Sequence, residues 1–387
     1  MTRARDLGVP FDGKPGKWNA ITDVAGVEVG HCTIIAGEGS QLPGQGAVRT
    51  GVTAVFPCGK KYDPVFAGWY SFNGCGELTG TAWVQESGFL ESNVMITETA
   101  SVGTVRDSTM KWAFEHLLQP GIRMRDVFYG LPVVGETYSG ILSDMTGFHV
   151  HPEHVVEALE NAKSGPVEEG SVGGGTAMIC HDFKGGIGTS SRLVEIAGHE
   201  YTLGVLVQAN HGGRNNLHIA GVPVGREIPD LMPEIFYEVR GSAGRPVSAG
   251  QGLPVDPAQP SMSSIIIVVA TDAPLLPNQL ARLARRTPLG IGVVGGVGSN
   301  GSGDIAIAFS TANHPEPGED SINQAAFLSN AAMTPLMLAT VQATEEAIVN
   351  SLVAAQTMTG LNGNTVHALP HDRLQDVLRK YNRLAEI

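Results

Sequence analysis

Ser263-Ser264-Ile265-Ile266-Ile267-Val268-Val269-Ala270-Thr271-Asp272 sets a serine at the mouth of an unbroken apolar run. A β-branched stretch of this length with no polar alternation predicts a strand covered on both faces, at the centre of a sheet. The segment before it, Gly241 to Met262, is dense in Gly, Pro, Ser and Ala and has no apolar periodicity. It predicts an exposed, flexible linker over 241–263 whose backbone is open to attack. Together these features point to Ser264 as a nucleophile made by self-cleavage. Attack of its Oγ on the Ser263 carbonyl, followed by hydrolysis of the ester, would free an amino terminus bearing both hydroxyl and amine. An α-amino group titrates near pH ~8 and can serve as base for its own side chain.

Working outward, the chain reads as globular. It has 387 residues, of which 42% are hydrophobic and 16% charged, enough for a sizeable core, and its 50 glycines imply tight turns or close backbone contacts. A formal net charge of −13 with no basic run argues against a nucleic-acid partner. No segment approaches the ~20 apolar residues of a membrane span, so the expected setting is cytoplasmic, or periplasmic if a leader has been removed. Cys32, Cys58, Cys75 and Cys180 show no paired metal-ligand spacing and read as small apolar residues.

Strand-like runs precede the linker at Gly26–Ile35, Val52–Phe56, Val94–Thr97 and Val205–Gln208. Asp107 is the expected cap of a helix carrying Met110, Ala113, Phe114 and Leu117, and Pro152 opens another with Val155, Val156 and Leu159. After the linker come the strand from Ser264, a helix over Asn278–Arg286, a strand over Ile305–Phe309 and a long helix around Leu336–Leu352. Pro335 starts or kinks that helix, and Leu338, Val341, Ile348, Val349 and Leu352 form its apolar stripe. Mixed sheets covered by helices follow, with the parts before and after the linker sharing one core.

Several familiar chemistries lack their motifs: no hydrolase elbow, no HExxH helix and no phosphate loop ending in GK[ST]. Gly173-Gly174-Gly175-Thr176 and Gly185-Gly186-Ile187-Gly188-Thr189 offer either N–H groups to an anion or close packing. His151 and His154 have no third ligand nearby in sequence. In Gly298-Ser299-Asn300-Gly301-Ser302-Gly303-Asp304, Ser302 and Asp304 fall two apart at the start of a strand and would share a side. They either orient the Ser264 amine and hydroxyl or belong to a hairpin turn. Asn210 ends an apolar strand, where its amide can donate to an oxyanion or simply serve a turn. Glu136 and Tyr138 share a face beyond the apolar Leu131–Val134, and Glu136 can receive a substrate ammonium or be a solvated loop acid.

At these residues the sequence resembles the DmpA-type aminopeptidases, the family of L-aminopeptidase/D-amidase-esterases and β-peptidyl aminopeptidases. The resemblance runs through Asn19–Ile34, Leu131–Asp144, Val172–Arg192, Val205–Arg226, Ser264–Pro277 and Ser302–Asn313 and covers most of the chain. It implies an α/β fold, a four-layer αββα sandwich similar to that of the N-terminal-nucleophile hydrolases, in one catalytic domain over 1–387. That domain would be cut into 1–263 and 264–387 and assembled as a homotetramer. By the same resemblance Ser264 is nucleophile and new amino terminus, and Ser302 and Asp304 hold it and its amine. Asn210 donates to the oxyanion, Glu136 binds the ammonium of a small peptide or amide, and Tyr138 borders the reacting centre. No cofactor or metal is implied. Ser263 departs from the Gly or Asn expected before the nucleophile, so slower processing, or cleavage shifted by one residue, is expected. The rival readings are acyl transfer of the ornithine acetyltransferase type, whose nucleophile is threonine, and an unprocessed small-molecule-binding protein.

Overall fold

The computed structural model describes residues 2–40, 43–117, 131–236, 263–315 and 322–385. The expected linker over Gly241 to Met262 lies outside the described residues. In chain order the strands of the first half are β1 (Glu28–Ala36), β2 (Val48–Phe56), β3 (Val65–Gly74), β4 (Phe89–Leu90), β5 (Val94–Glu98) and β6 (Val133–Thr137). They are followed by β7 (Ile179–Cys180), β8 (Phe183–Lys184), β9 (Gly186–Ile196), β10 (His199–Asn210), β11 (Ser264–Thr271) and β12 (Gly303–Ser310). The helices are α1 (Thr81–Ser87), α2 (Val102–His116), α3 (Pro152–Glu160), α4 (Val224–Glu227), α5 (Pro277–Ala284), α6 (Thr287–Val294), α7 (Thr334–Ala354) and α8 (His371–Lys380).

Two large sheets result, ordered β1-β2-β5-β6 and β4-β3-β12-β11-β10-β9, together with two small two-stranded ones, the β7-β8 hairpin and Met358–Thr359 paired with Thr365–Val366. The Ser264 strand is central, antiparallel to β10 and parallel to β12. Its two faces explain the unbroken apolar run. Ile265, Ile267 and Val269 pack with Leu336, Ala343 and Ile348 of α7, whereas Ile266 and Val268 meet Val55, Val94, Ile96 and Val133 of the opposing sheet. On the far side of that second sheet, Val52, Ala54 and Met95 pack against Val105 and Trp112 of α2 and Val155 and Leu159 of α3. Helix, sheet, sheet, helix is thus the layer order, the four-layer αββα sandwich expected above. Contact between layers is close enough to demand glycine: a Cβ on Gly188 of β9 would lie 1.9 Å from the Ala347 carbonyl oxygen of α7.

Some boundaries differ from expectation. Asp107 lies inside α2, not at its cap, because Val102 and Val105 continue the buried stripe one turn earlier. The helix expected over Asn278–Arg286 ends at Ala284, and α6, opened by Thr287 and Pro288, was not foreseen. Pro335 starts α7 as predicted, yet Leu338 faces solvent at 56% exposure while Leu336, Ala339 and Ala343 face the core. No described helix is long and apolar enough to cross a membrane.

Candidate active site

The sheet register gathers residues distant in sequence at one end of β10, β11 and β12. Asn210 pairs with Ser264 across the antiparallel ladder, and Ser264 pairs with Gly303 across the parallel one. Ser264 Oγ donates to the Ser263 carbonyl oxygen at 2.7 Å, and the Gly303 N–H reaches both that oxygen, at 3.1 Å, and Oγ, at 3.2 Å. The hydroxyl thus lies against the carbonyl of the residue before it, and one N–H polarises that carbonyl.

Alternation divides the other predicted residues between two faces of the sheet. Asn210 ends the row on which Leu206 and Gln208 look toward the opposing sheet. Its Oδ1 accepts the Ile179 N–H at 2.8 Å, and its Nδ2 donates to the Tyr138 carbonyl at 3.2 Å. Nδ2 has two hydrogens, so one remains for a developing oxyanion. Glu136 sits at the end of β6, paired with Thr97 in the opposing sheet. Its oxygens accept the Glu77 N–H, at 3.0 Å, and the Thr99 hydroxyl. The Glu136 carboxyl lies above the ordinary carboxylate range because burial outweighs those two bonds. A Cβ on Gly76 would be 3.1 Å from Glu136 Oε1 and 3.0 Å from Gly303 Cα, so only a glycine separates this acid from the strand partner of Ser264. Glu136 is therefore buried, not a solvated loop acid, at 4% exposure.

Ser302 and Asp304 do share a side: Ser302 Oγ donates to Asp304 Oδ1 at 2.6 Å, and both are buried. They line a cavity of about 220 Å³ together with Ser263, Ser299, His211 and Val297. Burial pushes Asp304 up to about 6, with the Ser302 hydroxyl opposing the shift. Tyr138 contributes its backbone carbonyl to the Asn210 clamp, while its hydroxyl packs so near Gly140 that a Cβ there would lie 2.4 Å away.

The sequence reading missed several contributors. Ser299 Oγ is 3.1 Å from Ser263 Oγ, and its carbonyl accepts Asn73 Nδ2 at 2.5 Å and the Ser302 N–H at 2.8 Å. Buried Glu98 accepts the hydroxyls of Ser101 and Ser139 at 2.6 and 2.5 Å, beside the strand that bears Glu136. Only Thr97-Glu98-Thr99, a polar cluster ending an apolar run, signalled that region. The glycine runs serve packing: Gly173 and Gly174 donate to Thr33 and Thr53, and a Cβ on Gly174 would be 2.3 Å from Gln208 Oε1. His151 and His154 pair with each other on the surface at the start of α3. Among the cysteines, Cys75 is exposed, contrary to the apolar reading, and Cys180 is drawn against His181 and His211.

Comparison with known proteins places this geometry. The model of peptidase family S58 matches residues 19–366. A β-peptidyl aminopeptidase BapA of Sphingosinicella microcystinivorans is 51% identical over 385 residues, 99% of this chain and 93% of that protein. Its namesake in Sphingosinicella xenopeptidilytica is 48% identical over 381 residues, 97% and 91% of the two chains. Among solved structures, the L-aminopeptidase D-Ala-esterase/amidase of Ochrobactrum anthropi superposes with a TM-score of 0.88 at 44% identity, covering 100% of each chain. That enzyme is described as a prototype for the serine aminopeptidases and a variant of the Ntn hydrolase fold. With its central-strand serine, its paired sheets and a match over nearly its whole length, the chain belongs to peptidase family S58.

Proposed function

We propose that the chain is a self-processing serine aminopeptidase and amidase, of β-peptidyl aminopeptidase type, acting on short peptides, amides or esters with a free amino group. The observation that supports this most is Ser264 Oγ, 2.7 Å from the carbonyl oxygen of the residue before it at the mouth of the central strand. Oγ attacks the Ser263 carbonyl carbon, the C–N bond breaks, and the departing nitrogen takes the hydroxyl proton. Water then hydrolyses the ester, leaving 1–263 and 264–387. The fragments stay together, since β11 and β12 lie between β10 and β3 of the first fragment, and a homotetramer of such pairs completes this reading.

In turnover the freed amine of Ser264 takes the Oγ proton as Oγ attacks the substrate carbonyl. The amine or alcohol that leaves carries that proton away, and water releases the acyl group. Ser302 and Asp304 hold the amine. Asn210 Nδ2 donates to the oxyanion, a contribution of roughly 3 kcal/mol in comparable sites. Glu136 receives the substrate ammonium with lone pairs left over from its bonds to Glu77 and Thr99, and Tyr138 borders the reacting centre. The test is a chromogenic anilide of a β-amino acid. The reading predicts aniline release together with an acyl adduct on the 264–387 fragment, both lost in Ser264→Ala. Undiminished release by Ser264→Ala would overturn it.

A further inference from the structure

Cys180, His181 and His211 form a buried cluster that the proposed reaction does not use. One ligand atom of each lies within 4.8 Å of the others, and Cys180 Sγ is 3.9 Å from His211 Nδ1. His181 Nδ1 sits 3.1 Å from the Gly213 carbonyl. A carbonyl can only accept, so the neutral ring carries its proton there and presents Nε2 as a bare lone pair. That atom is buried without a hydrogen-bond partner among the described residues. Buried polar atoms left unpaired are rare and point to an occupant. A histidine oriented by a backbone carbonyl on its other nitrogen is also the usual form of a metal ligand.

We infer that this cluster is a binding site for a borderline-soft divalent transition-metal ion of the zinc class. One thiolate and two imidazoles match that ion's preferences. Bonds of about 2.3 Å to sulfur and about 2.0 Å to nitrogen give tetrahedral edges of roughly 3.3–3.6 Å, so small side-chain shifts close the 3.9 Å separation. On binding, the Cys180 thiol proton passes to solvent, a sulfur–metal bond forms, and both imidazoles coordinate in their neutral forms. His211 also lines the cavity that holds Ser263, Ser302 and Asp304.

The site flanks the Asn210 clamp. Ile179, next to Cys180, donates to Asn210 Oδ1 at 2.8 Å, and the His181 N–H donates to the His211 carbonyl at 2.8 Å. A bound ion therefore staples the β7–β8 hairpin to the end of β10 behind the proposed oxyanion donor. Gly212 is part of the construction: its φ is +82°, and a Cβ there would meet the His181 ring at 2.3 Å.

The test uses full-length protein freed of metal by a chelator and titrated with Co²⁺. Expected are one bound ion per chain, the visible bands of a tetrahedral centre and a near-ultraviolet thiolate-to-cobalt charge-transfer band, all bleached by Zn²⁺. Cys180→Ser should lose the charge-transfer band, and both it and His181→Gln should weaken binding by about 100-fold or more. Zn²⁺ should raise Tm by a few degrees in the parent and not in either variant, each first shown to match the metal-free parent in circular dichroism. A spectrum with no thiolate band, or His181→Gln binding as tightly as the parent, overturns the inference and leaves water as the occupant. None of these readouts depends on peptidase activity.

Discussion

Asp304 allows the electrostatics of the site to be tested by stability alone. Burial raises its carboxyl from 3.8 to about 6, and the Ser302 hydroxyl only partly offsets the effect. Since the folded value lies above the unfolded one, ionised Asp304 destabilises the fold. The penalty is complete above pH ~6 and is withdrawn as pH falls toward the unfolded value. Each tenfold in the proton equilibrium is worth about 1.4 kcal/mol, so the penalty is about 3 kcal/mol at a pH of about 7.5 and about 0.5 kcal/mol near pH ~4. Asp304→Asn keeps the Oδ1 that Ser302 bonds and removes the charge. In an uncleaved Ser264→Ala background it should therefore stabilise by about 3 kcal/mol at the higher pH and by little at the lower. Urea midpoints at fixed protein concentration measure the difference. In the processed enzyme the new Ser264 ammonium should supply the missing cation, so the same substitution should destabilise. An uncleaved Asn variant no more stable than its parent near pH ~7.5, or equally stabilised at both pH values, would refute the burial argument.

The remaining predictions concern individual contacts. Glu136→Gln should lower kcat/KM on free-amine substrates by about 10²-fold, in line with about 3 kcal/mol for a buried charge-assisted bond, and leave the poor turnover of their N-acetyl derivatives unchanged. An equal loss on both substrates would count against ammonium binding. Ser299→Ala removes the hydroxyl bonded to Ser263 and should slow self-cleavage about 2- to 10-fold, measured by fragment appearance on a gel, with no added loss in a Ser263→Ala background. Gly188→Ala would drive a Cβ to 1.9 Å from the Ala347 carbonyl oxygen. It should destabilise by at least about 3 kcal/mol, seen as a lowered urea midpoint or loss of soluble protein.

Much of this arrangement is legible in the chain because it is local. The Ile265–Val269 run declares a two-faced central strand, and Pro152 and Pro335 mark real helix starts. Ser302 and Asp304 are two residues apart at a strand entrance, so period-2 geometry puts them on one side, where the structure bonds them. What escaped depends on register between distant strands. The Gly303 N–H meets Ser264 only because β11 and β12 pair in parallel, and Glu98 becomes a buried acid only because β5 lies beside β6. Cys180 and His211, 31 residues apart, come together through the β7–β8 hairpin, which spacing rules for metal ligands do not anticipate. Leu338 shows the limit of periodicity: a leucine on a long helix counts toward the stripe in sequence yet can point to water.

Self-cleavage that makes Ser264 an amino terminus is tested by intact mass under denaturing conditions. Expected are two wild-type fragments, one ending at Ser263 and one beginning at Ser264, beside a single uncut chain for Ser264→Ala. A wild-type chain that stays whole after long incubation, or a cut that persists in Ser264→Ala, would contradict it.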